Sequence, residues 1–487
     1  MITFIAAVIL LIVGYVVYGK VVERAFGADA SRTTPCYTRQ DGVDYMPMPT
    51  WKVYLIQFLN IAGTGPIFGA IQGILFGPAA YLWIVLGCIF GGAMHDYLTG
   101  MMSLRKDGAS LPELIGDELG HVARVLMRVF SLFLMVLVGT VFVKTPGDLL
   151  AVQTATWGIC GTPLFWYIVI FVYYVLAALL PIDKLIGRIY PLFGMALLIM
   201  AVGVGIGIFT QAGNVPELTD AFTNHHPQRD TIIPLFPGLF ITIACGAISG
   251  FHATQSPMMA RCMKNERLGR PVFYGAMITE GLVAMIWAAA AIKFADSLPV
   301  DGSTPYEKLL TAMDGNPAKV VDQICNTWMG RIGGILAILG VVAAPITSGD
   351  TALRSARMIA ADFMHYKQNK IYKRLLLAVP LFLMVFVLML IDFSVLWRYF
   401  GWVNQTLAVF ALWAVTLWLA RRRRCYFISL LPALWMTMVC STFILIAPNV
   451  GFGLHPHLSY TLGAVLTLLC LLLFVRWKRA DNSVQPI

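Results

Sequence analysis

Residues 236–264 read FPGLFITIACGAISGFHATQSPMMARCMK. The run is apolar enough to cross a bilayer, yet its middle holds Gly246, Ser249, Gly250, His252, Thr254, Gln255, Ser256 and Pro257. Within lipid, non-helical backbone survives only where it is buried in protein or lines a wet cavity. The stretch therefore predicts two half-helices joined by an unwound elbow. Ser256-Pro257 predicts the start of the second half, a hydroxyl at the N-cap followed by proline at the first helical position. Free N–H groups and the positive dipole end at such a start suit an anionic group.

Working outward, the 487 residues are 59% hydrophobic and only 12% charged, with a mean hydropathy of +0.76. Soluble domains carry about 25% charged residues, so the composition excludes them and predicts an all-α polytopic membrane protein. The net charge of +10 lies in short loops between apolar runs, which argues against a nucleic-acid partner. None of the nine cysteines forms a C-x-x-C pair; Cys160 and Cys325 fall in loops placed outside, where a disulfide is an open alternative. No Walker loop, H-E-x-x-H, G-x-S-x-G, haem or Fe–S spacing occurs, so no cofactor is predicted and energy would come from an ion gradient or from none. Residues 2–20 lack a basic leader and a cleavage site, predicting an uncleaved first span.

Apolar runs of roughly 17–25 residues predict about thirteen spans, near 2–20, 51–77, 79–102, 122–144, 163–181, 185–209, 233–264, 269–293, 329–350, 371–392, 395–420, 425–447 and 458–476. The connections assigned to the cytoplasm are Lys20 to Arg39, Arg105 to Arg128, Lys184 to Arg188, Arg261 to Arg270, Arg354 to Arg374, Arg421 to Arg424 and Arg476 to Arg479. About 28 of the 35 lysines and arginines then fall on that side, a strong positive-inside bias. The N-terminus is placed outside and the C-terminus in the cytoplasm.

Span 2, WKVYLIQFLNIAGTGPIFGAIQGILF, shows a second break at Asn60-Ile-Ala-Gly63-Thr64-Gly65-Pro66. It runs outward while span 7 runs inward, and both restart at a proline. Five spans (2 to 6) followed by five of opposite orientation (7 to 11) is the layout of an inverted-repeat transporter, where matched broken helices point to the binding site. The divisions are 1–50, a peripheral helix and cytoplasmic loop; 51–209, the first repeat; 210–232, a connector; 233–420, the second repeat; and 421–487, two peripheral helices and a tail. Spans 1, 12 and 13 would face lipid and offer a homodimer surface. In the outer loop 294–328, Ser303 and Asn316-Pro317 predict two short amphipathic helices, either a lid or a surface ornament.

Span 9 has a third irregularity, Ala344-Pro345-Ile346-Thr347-Ser348-Gly349-Asp350-Thr351, followed by a basic amphipathic segment, Leu353 to Phe363, expected at the cytoplasmic interface. Thr347 and Ser348 are candidate sodium ligands; Asp350 is a candidate proton carrier or merely the cap of the segment after it. Ionisable residues inside spans default to functional hypotheses. Glu280 stands alone in the middle of span 8, where burial disfavours the charged carboxylate as a proton carrier requires; a neutral acid bonded between helices is the alternative. His95-Asp96 in span 3 is a proton relay, an inner gate or a buried structural pair. His252 in the elbow is a substrate ligand or titrating group. Asn404-Gln405 in span 11 predicts interhelical hydrogen bonding. These ligand types show no helical ligand spacing, so no metal site is predicted.

The segments FLNIAGTGPIFGAI, GGAMHDYLTGMMSLRKDGASLPELIG, FITIACGAISGFHATQSPMMAR, SGDTALRSARMIAADF and FGWVNQTLAVFAL resemble the carbon starvation protein (CstA) family of bacterial membrane transporters. The resemblance implies the amino acid/polyamine/organocation superfamily, a leucine-transporter-like inverted repeat, a bacterial cytoplasmic membrane, and uptake of peptides or pyruvate with protons. Carried onto this chain, the broken helices are Asn60 to Pro66 and Gly246 to Ser256, and the polar turn of span 9 is Thr347 to Thr351. At 487 residues the chain is shorter than the long members. The expectation is a proton symporter for a small carboxylate-bearing nutrient. Candidate substrate contacts are Asn60, Gly63, Thr64, Gly65, Gly250, His252, Thr254, Gln255 and Ser256; candidate coupling residues are Glu280, Asp350, Thr347, Ser348, His95 and Asp96. Sodium coupling, a nutrient sensor and a membrane enzyme are the alternatives, the last opposed by the missing nucleophile and cofactor motifs.

Overall fold

A computed structural model describes residues 1–480 apart from 43, 178–181, 230–233, 301–302, 365, 367–370, 392 and 449, and the side chains of 152, 182–189, 337–338, 362, 371 and 393–395 also lie outside the description. All regular structure among the described residues is helical. In chain order α1 is Ile2–Phe26, α2 Thr50–Ala62, α3 Gly65–Gly73, α4 Ala79–Arg105, α5 Leu111–Leu119, α6 His121–Gln153, α7 Pro163–Ala177 and α8 Ile182–Thr210. The second half continues with α9 Leu235–Thr242, α10 Gly250–Ala260, α11 Gly275–Ser297, α12 Pro305–Met313, α13 Pro317–Ala337 and α14 Ala343–Phe363. It ends with α15 Ile371–Leu388, α16 Phe393–Arg421, α17 Phe427–Ile446 and α18 Pro456–Ala480. Among the described residues eight helices are long and apolar enough to cross a membrane, or up to ten if each of two bent pairs is one span.

Glycine and proline place the bends. The α2–α3 pair turns by 42° at Gly63-Thr64, and Pro66 in the first turn of α3 has no N–H to leave unpaired. Between α9 and α10, residues 243–249 leave the helix altogether. Gly246 turns the chain there with φ +92°, and a Cβ on it would lie 2.5 Å from Ala284 Cβ, so only glycine fits without strain.

Burial is organised in two apolar cores. One joins α1, the broken α2–α3, α4, α8 and α11, with Leu11, Ile67, Tyr97, Met200 and Trp287 among its buried side chains. The other joins α6, α7, α14, α15 and part of α16 through residues such as Met135, Phe142, Tyr174, Ala356 and Phe382. At the outer rim, α18 keeps Val465, Leu468, Leu469 and Leu472 exposed, and α1 keeps Ile9, Ile12 and Val16 exposed; these faces match a lipid environment.

Several local expectations are corrected. The start of α12 is capped by Thr304, not Ser303, through a reciprocal capping box with Glu307. The helix begun at Pro317 is interrupted at Gly330, where φ is +60°, so the second short helix expected in this loop ends there and a further helical stretch runs on to Ala337. Thr347 to Thr351 forms no turn: these residues lie inside α14, so Asp350 caps nothing. The segment after it continues the same helix and is packed into the protein, with Leu353, Arg354, Ala356, Arg357 and Ile359 all buried. All nine cysteines are free, Cys160 and Cys325 included. The end of the fifth predicted span and the 210–232 connector fall partly outside the described residues.

Candidate functional site

The two breaks meet. A Cβ on Gly65, the first residue of α3, would fall 2.4 Å from the Cys245 side chain, and the Gly246 position lies about 4 Å from Pro66. The second half-helix, however, starts at Gly250 with Ser249 at its N-cap, not at Ser256-Pro257. Ser256 is a helical residue whose hydroxyl donates to the His252 carbonyl at 3.0 Å. Pro257 lies near the C-terminal end of the same helix. The cap comes from afar: Asn404 Oδ1 on α16 accepts the Phe251 N–H at 2.7 Å and the Ser249 hydroxyl at 3.1 Å, satisfying groups that a helix end leaves open. Gln405 donates to the Phe240 carbonyl at 2.6 Å, so both amides of the Asn-Gln pair tie α16 to the broken helix.

Once α10 is positioned this way, ionisable side chains from three helices converge. Asp96 of α4 holds His95 Nδ1 at 2.8 Å through one carboxylate oxygen and His252 Nδ1 at 2.9 Å through the other. His252 Nε2 then faces Glu280 Oε2 of α11 at 3.5 Å, long for a strong hydrogen bond. All four side chains have no exposed surface. Since a carboxylate only accepts, each imidazole presents Nδ1–H to Asp96. That fixes the Nε2 of His252 as the atom aimed at Glu280. Glu280 and the His95-Asp96 pair, expected as rival coupling candidates, and His252, expected as a substrate ligand or titrating group, lie in one contiguous cluster.

Asp350 and the two hydroxyls lie elsewhere. Asp350 accepts from Tyr190 at 2.8 Å, and Arg354 one turn later donates to the Ala177 carbonyl. Thr347 donates to the Ala344 carbonyl at 2.8 Å. Ser348 donates to the Leu59 carbonyl at 3.0 Å, one turn before the break in α2–α3. Around the breaks, both amide atoms of Asn60, the Thr64 hydroxyl and Gln255 Oε1 are buried without a protein partner. Thr254 donates to the Phe251 carbonyl and accepts from Gln255. Buried polar groups are nearly always bonded, so Asn60, Thr64 and Gln255 mark where polar groups of water or a ligand would fit.

Three participants were not visible as such in the sequence. Cys245 resembles a small hydrophobe there, yet its sulfur, His252 and Glu280 offer ligand atoms all within 4.8 Å of one another; its position in a polar elbow was the available signal. Trp397 and Phe400 of α16 line, with Gly65, Thr242, Ala244 and Cys245, a narrow cleft beside the breaks. Nothing in their local sequence sets them apart from ordinary membrane aromatics.

Two touching helix breaks around a buried ionisable cluster define a polytopic helical protein of the leucine-transporter-like fold. The solved structure of MhsT in complex with L-phenylalanine supports that fold, with a TM-score of 0.55 at 15% identity over 87% of this chain and 98% of that one. The chain belongs to the carbon starvation protein CstA family, whose model matches residues 1–162, 147–301 and 300–443; it is a membrane transporter-family protein and not an enzyme. A Haemophilus influenzae uncharacterized membrane protein is 44% identical over 338 residues, 60% of this chain and 91% of that one. The Escherichia coli peptide transporter CstA is 25% identical over 90% of this chain and 79% of its own. The pyruvate/proton symporter BtsT of E. coli is 25% identical over 70% of this chain and 56% of its own.

Proposed function

We propose that the chain imports a small carboxylate-bearing nutrient, a short peptide or pyruvate, by proton symport across a bacterial cytoplasmic membrane. The observation that carries this reading is the buried line His95–Asp96–His252–Glu280 beside the two helix breaks. Ionisable groups inside membrane spans are costly and concentrate in proton relays and substrate paths. The substrate carboxylate would rest near the start of α3, with Asn60, Thr64 and Gln255 supplying side-chain bonds and Trp397 and Phe400 closing the cleft. Adding α7, the α9–α10 pair and α15 to the ten candidate spans gives the thirteen of the inverted-repeat layout, with breaks in spans 2 and 7. The two apolar cores are then bodies that rock against each other, spans 2, 3, 7 and 8 against 4, 5, 9 and 10, to alternate access.

Sodium coupling is the second reading, favoured by the Ser348 hydroxyl against the Leu59 carbonyl. Accumulation of pyruvate and dipeptides in proteoliposomes, under an imposed pH gradient without sodium and with a chelator present, separates the two. Uphill uptake is expected. Uptake only with a sodium gradient would move the coupling ion to Thr347 and Ser348, and none under either gradient would reject transport of these substrates.

A further inference from the structure

We infer that Cys245, His252 and Glu280 form a binding site for a borderline divalent transition-metal ion, Zn²⁺ foremost, at the elbow between α9 and α10. Their ligand atoms lie within 4.8 Å of one another, so a common centre is at most about 2.8 Å from each, against roughly 2.0–2.3 Å for Zn²⁺ with oxygen, nitrogen and sulfur. A contraction of about 0.5 Å for the sulfur and about 0.8 Å for the nitrogen and oxygen closes the site. Thiolate, imidazole and carboxylate in threes, with a fourth position left open, is a zinc-type donor set. It does not suit Mg²⁺ or Ca²⁺, which take six or more oxygen ligands.

The surroundings are built for ligation. The other nitrogen of His252 bonds Asp96 at 2.9 Å, the outer carboxylate that orients a metal-binding imidazole and raises its basicity; Asp96 is in turn bonded by His95. His252 Nε2 and both Glu280 oxygens have no firm protein partner although the residues are fully buried. The backbone brings the Cys245 and Glu280 segments together: Gly246 lies against Ala284, one turn along α11 from Glu280. The metal site goes beyond symport and does not depend on it. Metal and coupling proton would both use Glu280, so each excludes the other. That is why the uptake test carries a chelator.

The test is a titration of the purified, reduced full chain in detergent with Co²⁺ as a spectroscopic stand-in. One equivalent should produce a thiolate-to-cobalt charge-transfer band and tetrahedral d–d bands, both removed by Zn²⁺ and not by Mg²⁺. Cys245→Ser should abolish the charge-transfer band, and Asp96→Asn, which touches no metal, should weaken Co²⁺ binding about 10–100-fold. Thermal unfolding of each metal-free variant reports whether it folds. No binding, binding without a thiolate band, or a band that survives Cys245→Ser would overturn the site. None of these readings involves uptake, so failure here leaves symport standing and failed uptake leaves the metal site standing.

Discussion

Asp96→Asn probes the junction on which the cluster depends. The carboxylate accepts from both His95 and His252, at 2.8 and 2.9 Å. Asparagine keeps one accepting oxygen and puts an NH₂ in place of the other, so one imidazole N–H meets a donor. A charge-assisted hydrogen bond contributes about 1.5–3 kcal/mol, and an orphaned buried donor costs about 1–3 kcal/mol. Taking about 3 kcal/mol in all, the fraction of molecules that hold His252 toward Glu280 falls roughly 150-fold. If the imidazole instead changes tautomer, its Nε2 carries a hydrogen toward Glu280 and the proton path is altered just the same. The readout is the initial rate of pH-driven pyruvate or dipeptide uptake, expected to drop by about two orders of magnitude while thermal unfolding still shows a folded protein. Asp350→Asn is the control, because that carboxylate bonds Tyr190 and should leave proton-driven uptake in place. Uphill uptake by Asp96→Asn within threefold of the unaltered chain, or an equal loss in Asp350→Asn, would refute the reasoning.

Gly246→Ala puts a Cβ at φ +92° and 2.5 Å from Ala284; strain and overlap together should cost about 2–4 kcal/mol. Thermal unfolding reads the loss, and adding Ala284→Gly should recover the steric part but not the backbone part. Ser348→Ala removes the bond to Leu59 and should change sodium-free uptake less than twofold; a collapse would place the coupling ion there. His226, in the loop after α8, is pushed by burial from 6.5 to about 4. Its unfolded form therefore binds protons first, so the stability it supports is complete above pH 6.5 and is lost as pH falls through about 4. His226→Gln should flatten melting temperature between pH 7 and 4, corresponding to about 1–2 kcal/mol after solvent screening, and an unchanged acid limb would reject the assignment.

The breaks were legible because glycine and proline at mid-span have few other uses in lipid. Their exact geometry was not. Ser256-Pro257 has the composition of a helix start, but the cap of α10 is Asn404, 153 residues from Phe251, and no local rule reports a partner so distant. Likewise the turn of span 9 looked broken because Pro345, Thr347, Ser348 and Gly349 are poor helix formers. Tertiary contacts keep it helical: the Tyr190 hydroxyl donates to Asp350 and lies 3.1 Å from the Thr347 carbonyl, and Ser348 reaches the Leu59 carbonyl. His95, Asp96, His252 and Glu280 were each conspicuous as intramembrane ionisable residues, yet their convergence is set by the packing of α4, α10 and α11. Cys245 was hidden because a cysteine in an apolar run is ordinarily a small hydrophobe.

On the proposed mechanism the proton crosses with substrate by way of the cluster ending at Glu280. This is tested most directly by following proton movement with a pH-sensitive dye inside chelator-treated proteoliposomes as substrate is added, for the unaltered chain and for Glu280→Gln. The account predicts substrate-dependent proton entry in the former, and in the latter no proton entry while substrate exchange down its own gradient persists. Proton entry of equal size through Glu280→Gln would contradict it.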